Sequence, residues 1–270
     1  MSQRRTKTIS ITSGKGGVGK STLTANLAMT LGARGSRVLI LDGDLGMANI
    51  DIMFGIRTMY SIQDVFNGER SLDEVIVQAA ENVYLIPGGS GLYGLSRLDI
   101  HQRQALLSQV SGLDQHFDYM IIDTAPGIDD NVLYLNTAAQ EIVVVVNSDP
   151  ASIADSYALI KVLSQRHHES RFSIVPNMVR DEAEANAVYR RISDVAARFL
   201  CISLDLKGFI PNDPNLRQAT KQQQLVVASV PSCPSSLAIR RLAEKISGFG
   251  QVPELKGSIQ FFWQQLSGVA

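Results

Sequence analysis

The stretch TSGKGGVGKS, Thr12 to Ser21, follows a short apolar run (Thr8–Thr12) and precedes a helical pattern (Ser21–Ala33). Its four glycines, Gly14, Gly16, Gly17 and Gly19, stand within eight residues and rule out regular structure there. The chain must therefore build a strand, a tight loop and a helix in that order. Glycines let backbone N–H groups turn inward around an anion, and the helix start at Ser21 adds its dipole. The spacing GxxxxGK[ST] reads as a phosphate cradle wrapped by Gly14, Lys15, Gly16, Gly17, Val18 and Gly19. Lys20 supplies a point charge for β- and γ-phosphates, and the Ser21 hydroxyl can ligate Mg²⁺.

The rest of the chain supplies the sheet that such a unit needs. Candidate strands are Thr8–Thr12, Arg37–Leu41, Val83–Ile86, Tyr119–Ile122, Ile142–Asn147, Phe172–Val175 and Leu206–Ile210. Candidate helices between most of them are Ser21–Ala33, His101–Ser111, Ile153–Ser164, Ala183–Phe199 and Ser236–Ile246. The strands are apolar throughout rather than alternating, so both their faces are buried, and the βα rhythm gives a parallel sheet. The expected fold is α/β, a mostly parallel twisted sheet flanked by helices, over residues 1–247. Ligands in such sheets bind at the carboxyl ends of the strands.

A Gly- and Pro-containing stretch at 248–258 reads as a linker, followed by an aromatic tail at 259–270. In that tail Ile259, Phe262, Trp263, Leu266 and Val269 share one face of a helix, with Phe261 off the stripe. Such a helix can lie in a membrane interface. From Gly257 onward it has no Lys or Arg, so one copy would bind lipid weakly and two on a dimer better. The alternative, folding back onto its own core or a partner chain, stays open.

Composition removes other classes. The net charge of −1 gives no basic coat for nonspecific nucleic-acid binding, so no direct nucleic-acid contact is expected. The two cysteines, Cys201 and Cys233, are too far apart in sequence for a CxxC pair, which leaves neither a disulfide framework nor a zinc site. No signal-peptide pattern opens the chain, and the longest aliphatic run, Ile142–Val146, is too short to cross a bilayer. A reducing cytosol is the simplest setting.

The loop also satisfies GxGxxG, with Asp42 about where a ribose-binding acid would stand, so a dinucleotide is a rival ligand. Three features favour a nucleoside triphosphate. The pair Lys20-Ser21 serves a γ-phosphate and a metal, which a dinucleotide lacks. Asp123 ends the apolar strand YMIID, as an acid holding Mg²⁺ through water opposite Ser21 would. Asp44 follows the second strand, where it can face the γ-phosphate. Lys15 remains. Aimed at its own nucleotide it would duplicate Lys20; aimed outward it could reach the phosphate of a second copy, as an arginine finger does in trans. Spacing alone leaves that choice, and a plain solvated lysine, open.

KGGVGKST with Lys15 resembles the deviant Walker A motif of the MinD/ParA ATPases, whose signature is this additional lysine. VLILDGDLGMANIDIMFGI (Val38 to Ile56) resembles the family's switch I, IIDTAPGI (Ile121 to Ile128) its Walker B and switch II, and VPNMV with FIPND its adenine loops. Within the family, DSYALIKVL, RFSIVPNM and GSIQFFWQQL resemble the flagellar number regulators of the FleN/FlhG group. The resemblance implies ATP and Mg²⁺ as ligands, a homodimer with ATP and a monomer with ADP or no nucleotide. It implies that Lys15 contacts the partner's nucleotide, Lys20 the β/γ-phosphates, Ser21 the Mg²⁺ and Thr22 the α-phosphate. Asp44 would position the attacking water, Asn49 support switch I, Asp123 serve as Walker B acid and Gly127 pivot on the γ-phosphate. Asn177 would read the adenine edge, with Pro211 and Asp213 lining its pocket. From the residues themselves, Asn49 could equally cap a helix near Ile50, and Asp213 could be a turn residue before Pro214.

The resemblance further implies slow ATPase activity that regulates flagellar number and placement by restraining a FleQ-type transcription activator and acting with the GTPase FlhF. The glutamine-rich N-terminal motif that serves FlhF in many of the group is not visible before the first strand, which touches the FlhF role more than the FleQ one. The implied place is cytoplasmic, peripheral at the inner face of the bacterial cell membrane, with a polar position left open. Alternatives are a ParA-like DNA or cargo positioner, which needs a basic dimer surface, and a MinD-like division-site regulator. An iron–sulfur relative would need poised cysteines.

Overall fold

The computed structural model describes residues 6–44, 49–89, 109–110, 116–248 and Trp263. Its strands are β1 (Lys7–Thr12), β2 (Val38–Gly43), β3 (Val77–Ala80), β4 (Val83–Ile86), β5 (Tyr119–Thr124), β6 (Glu141–Val146), β7 (Arg171–Val179), β8 (Ser203–Leu206) and β9 (Ile210–Pro211). They form one sheet in the order β3-β4-β2-β5-β1-β6-β7-β8, with β9 on β7. Every pairing is parallel except that of β3 with β4. The expected parallel sheet is thus present, and β1 with its glycine loop lies between β5 and β6 in its middle.

The helices are α1 (Lys20–Ala33), α2 (Ile50–Phe54), α3 (Ile62–Phe66), α4 (Leu72–Val75), α5 (Asp130–Ala138), α6 (Pro150–His167), α7 (Glu182–Phe199), α8 (Pro214–Lys221), α9 (Val226–Ser229) and α10 (Pro234–Gly248). On one sheet face α1, α9 and α10 bury Ile9, Ile11, Ile40, Ile121, Val143 and Val145. The opposite face carries two apolar clusters, one around Leu39, Leu41, Met120 and Ile122, the other around Val144, Val146 and Ile174. Between them β1 presents hydroxyls rather than aliphatics. Ser10 Oγ donates to Asn136 Oδ1 (2.8 Å), Asn136 Nδ2 to Thr12 Oγ1 (3.2 Å) and Thr124 Oγ1 to Thr12 Oγ1 (2.9 Å). Buried polar groups are tolerable when bonded in this way. The seam ties α5 to the strand that feeds the glycine loop.

Several boundaries differ from the sequence reading. The single strand expected at Leu206–Ile210 is two, β8 and β9, because Gly208 at φ 151° turns the chain between them. β7 runs on to Val179 and carries Asn177 to the loop end of the sheet. α3 and α4 are too short for a period to show, and each is set by a capping box, Ser61 with Asp64 and Ser71 with Glu74. Gln109 and Val110 are helical; the rest of the expected helix His101–Ser111 lies outside the described residues. α10 ends at Gly248, and the tail at 259–270 is described only at Trp263. No helix among the described residues is long and apolar enough to cross a membrane.

Candidate functional site

The loop Ser13–Gly19 ends β1 and opens α1, and its glycines are demanded by close approach. A Cβ at Gly14 would stand 2.1 Å from the backbone carbonyl carbon of Asp155 in α6. Gly19, at φ 90°, takes the N-cap position of α1 with no side-chain cap, leaving the first N–H groups of the helix for an anion. A Cβ there would lie 2.4 Å from Asn177 Nδ2.

Lys20 is only 6% exposed, and burial lowers its pKa against the raising charges of Asp123 and Asp44. Ser21 and Thr22 follow it at the helix start, half-buried. Across from them, Asp123 at the end of β5 accepts Thr24 Oγ1 at 3.1 Å through Oδ1. Its Oδ2 is buried and has no hydrogen-bond partner among the described residues. Burial raises its pKa to about 6, opposed by the Ser21 hydroxyl and the Lys20 charge. A buried carboxylate oxygen left without a partner beside the Lys20–Ser21 pair fits a magnesium-bound water. No cluster of three or more His, Cys, Asp or Glu suited to a metal occurs among the described residues.

Asp42 is paired with Asp123 across β2 and β5. Burial and then the Asp123 charge raise its pKa to about 8. Its Oδ1 accepts Asp44 N–H (3.3 Å), and its Oδ2 accepts Asn49 N–H (3.1 Å) and Ile50 N–H (3.3 Å). One carboxylate therefore holds both ends of the segment that carries Asp44 and Asn49. In sequence Asp42 reads as a ribose acid; its place two residues before Asp44 is the signal for this second role. Asp44 is half-buried. Asn49 precedes α2, and its side chain makes no cap bond to it. Gly127, at φ 102°, donates its N–H to Ser13 O at 3.0 Å and so closes the β5–α5 turn on the glycine loop.

The adenine-side residues divide. Asn177 lies under the loop, with Nδ2 on Val18 O at 2.7 Å and Oδ1 accepting Met178 N–H at 2.9 Å. Pro211 ends β9, half-buried. Asp213 is committed elsewhere: Oδ1 caps α8 through Asn215 N–H (2.9 Å), and Oδ2 accepts Ser235 N–H (3.0 Å) and Oγ–H (2.9 Å). Burial would raise its pKa, but the Ser235 and Asn215 N–H groups outweigh it and hold it at about 2. The structure gives Asp213 the part of a cap and an α8–α10 tie.

Lys15 points out of its own cradle. Its Nζ lies 2.5 Å from Asp149 Oδ2 at the start of α6, on the surface. Trp263, expected on a lipid-facing stripe, is fully buried in the cluster with Leu39, Leu41, Ile62 and Phe117. Ile259, Phe262 and Leu266 lie outside the described residues.

A family model described as an AAA domain matches residues 6–174. The antiactivator FleN of Pseudomonas aeruginosa is 35% identical over 258 residues, 96% of this chain and 92% of that protein. The flagellum site-determining protein YlxH of Helicobacter pylori is 34% identical, covering 88% of this chain and 81% of that protein. Among solved structures, the MinC:MinD cell division complex of Aquifex aeolicus superposes with TM-score 0.73 at 27% identity, covering 93% of this chain and 100% of that one. MinD of Pyrococcus horikoshii complexed with Mg-ADP gives TM-score 0.71 at 28% identity, with 89% and 96% covered.

Proposed function

The chain belongs to the MinD/ParA family of P-loop ATPases, and from that premise we propose that it is an ATP-driven dimerisation switch regulating flagellar number and placement. The observation that carries the reading is the outward course of Lys15, which leaves Lys20 alone inside the cradle. With ATP, two chains meet face to face, and each Lys15 reaches the β/γ-phosphates held by the other. With ADP or no nucleotide the chain is single.

Lys20 and the loop N–H groups bind the phosphates, and Thr22 contacts the α-phosphate. Asn177 and Pro211 border the base. Magnesium, when bound, neutralises charge on the β- and γ-oxygens; Ser21 and, through water, Asp123 would hold it. Asp44 positions the water that attacks the γ-phosphorus, and Asp42 keeps Asp44 and Asn49 in register. Gly127 N–H is free to leave Ser13 O for a γ-phosphate oxygen, so loss of that phosphate reverses the closure.

The output is regulatory. The likeness to an antiactivator supports a FleQ-type transcription activator as the restrained partner, with FlhF as a second. The tail docks at the inner face of the cell membrane in the ATP dimer, and burial of Trp263 supports a second, withdrawn position for it. A DNA-positioning role gains no support from a net charge of −1.

Light scattering tests the switch. Wild type should have twice the monomer mass with Mg²⁺ and a non-hydrolysable ATP analogue and the monomer mass with ADP, while Lys15→Ala should stay single with both. Wild type that stays single with the analogue would sink the proposal.

A further inference from the structure

The Lys15–Asp149 contact joins residues 134 positions apart, one of them in the glycine loop and the other at the start of α6. The Lys15 backbone has little freedom. Ser13 Oγ donates to Lys15 O at 2.7 Å, and Gly14 lies against the α6 backbone with no room for a Cβ. The side chain extends from a root held by these contacts.

Asp149 is equally well placed to receive it. Its Oδ1 accepts Ala151 N–H at 3.0 Å and caps α6, while its own N–H donates to Asn147 Oδ1 at 3.2 Å. Those bonds orient the carboxylate and leave Oδ2 for the ammonium. Both partners are exposed, so the pair is weak and reversible. The Lys15 hydrogen bond also draws the Asp149 pKa below the ordinary carboxylate value.

We propose that Asp149 is a positioning residue for the lysine that acts in trans, parking Lys15 beside its own cradle in the single chain. This rests on the reading of Lys15 given above. Forming the dimer requires two such pairs to break, one per chain. A triphosphate offers several charged oxygens against one carboxylate and displaces it; a diphosphate lacks the γ-oxygens and competes less well. The parked state thus sets the threshold of protein and ATP at which two chains join, and it limits joining on ADP.

The test is sedimentation velocity with Mg²⁺ and a non-hydrolysable ATP analogue, on wild type, Asp149→Asn, Lys15→Ala and the double variant. Asparagine is as good an N-cap as aspartate, so Asp149→Asn removes the ion pair and keeps the start of α6. Releasing an exposed pair shifts an equilibrium about two- to five-fold, so two pairs should tighten the dimer about 4- to 25-fold. The gain should shrink as added salt screens the pair in wild type. Lys15→Ala with Asp149→Asn should pair no better than Lys15→Ala alone, which a purely structural effect of Asp149 would not produce. An Asp149→Asn dimer equal to or weaker than wild type overturns the proposal, as does the same gain in the Lys15→Ala background. A wild type that remains single with the analogue defeats the switch itself; a wild type that pairs while Asp149→Asn matches it defeats only the parking role.

Discussion

Trp263 is the single tryptophan of the chain, fully buried beside Leu41, Val65, Phe66 and Phe117. An indole removes roughly 150–250 Å² from water. At about 25 cal/mol per Å² that is on the order of 4–6 kcal/mol as an upper bound. Replacing a buried Trp by Ala in a core that relaxes little costs about 3–5 kcal/mol. Trp263→Ala should therefore lower the urea-unfolding free energy by about 3–5 kcal/mol, followed by far-UV circular dichroism because the fluorophore is gone. A loss below about 0.5 kcal/mol, the size of an ordinary surface substitution, would refute the docked position. The same residue offers a second reading on the wild type. Its emission should be blue-shifted and shielded from quenchers without nucleotide, and red-shifted and quenchable with the ATP analogue and anionic vesicles. Emission of a solvated indole in the nucleotide-free chain would contradict the buried seat. Undocking must be offset by contacts made in the dimer and the bilayer, so vesicle binding should require ATP.

Asp44→Ala should bind ATP yet accumulate as a dimer on a sizing column, since assembly survives while hydrolysis stops; only monomer with ATP would count against the role of Asp44. Asp213→Ala removes the α8 cap and leaves Ser235 N–H without its acceptor, a cost of about 2–4 kcal/mol read by thermal melting. The Asp213 pKa of about 2 lies below the ordinary value, so its contribution is complete above about pH 4 and disappears as pH falls through 2; Asp213→Asn should flatten that acid limb of stability. Asp123 at about 6 and Asp42 at about 8 hold protons that oppose a cation, so Mg²⁺–nucleotide affinity should rise from pH 6 to pH 8 with proton release. Calorimetry in buffers of different ionisation enthalpy measures that release, and none at pH 7 would contradict it.

The parallel sheet was legible because β2, β5 and β6 are buried on both faces and consist mostly of aliphatic residues, with Asp42 and Asp123 near the carboxyl ends of β2 and β5. The phosphate-side candidates are local: Gly14, Lys20 and Ser21 stand within eight consecutive residues across the loop and the first turn of α1, so sequence spacing already brings them together. Roles that depend on distant contacts were not legible. Asp213 is fixed by Ser235, 22 residues on, and no local pattern separates such a cap from a base-pocket residue. Lys15 meets Asp149 across 134 residues. Asp42 acts through backbone N–H groups of Asp44, Asn49 and Ile50, which leave no mark on side-chain chemistry. The tail shows an amphipathic stripe, and periodicity does not tell lipid from protein as the surface it meets; Trp263, the one tail residue described, is buried among apolar side chains.

The most direct measurement is a crystal structure with Mg²⁺ and a non-hydrolysable ATP analogue. Two chains should face each other, with each Lys15 ammonium released from Asp149 and within hydrogen-bonding distance of the partner's β/γ-phosphate oxygens. A triphosphate-loaded chain with no second copy opposite, and Lys15 still on Asp149 or turned to solvent, would contradict the account.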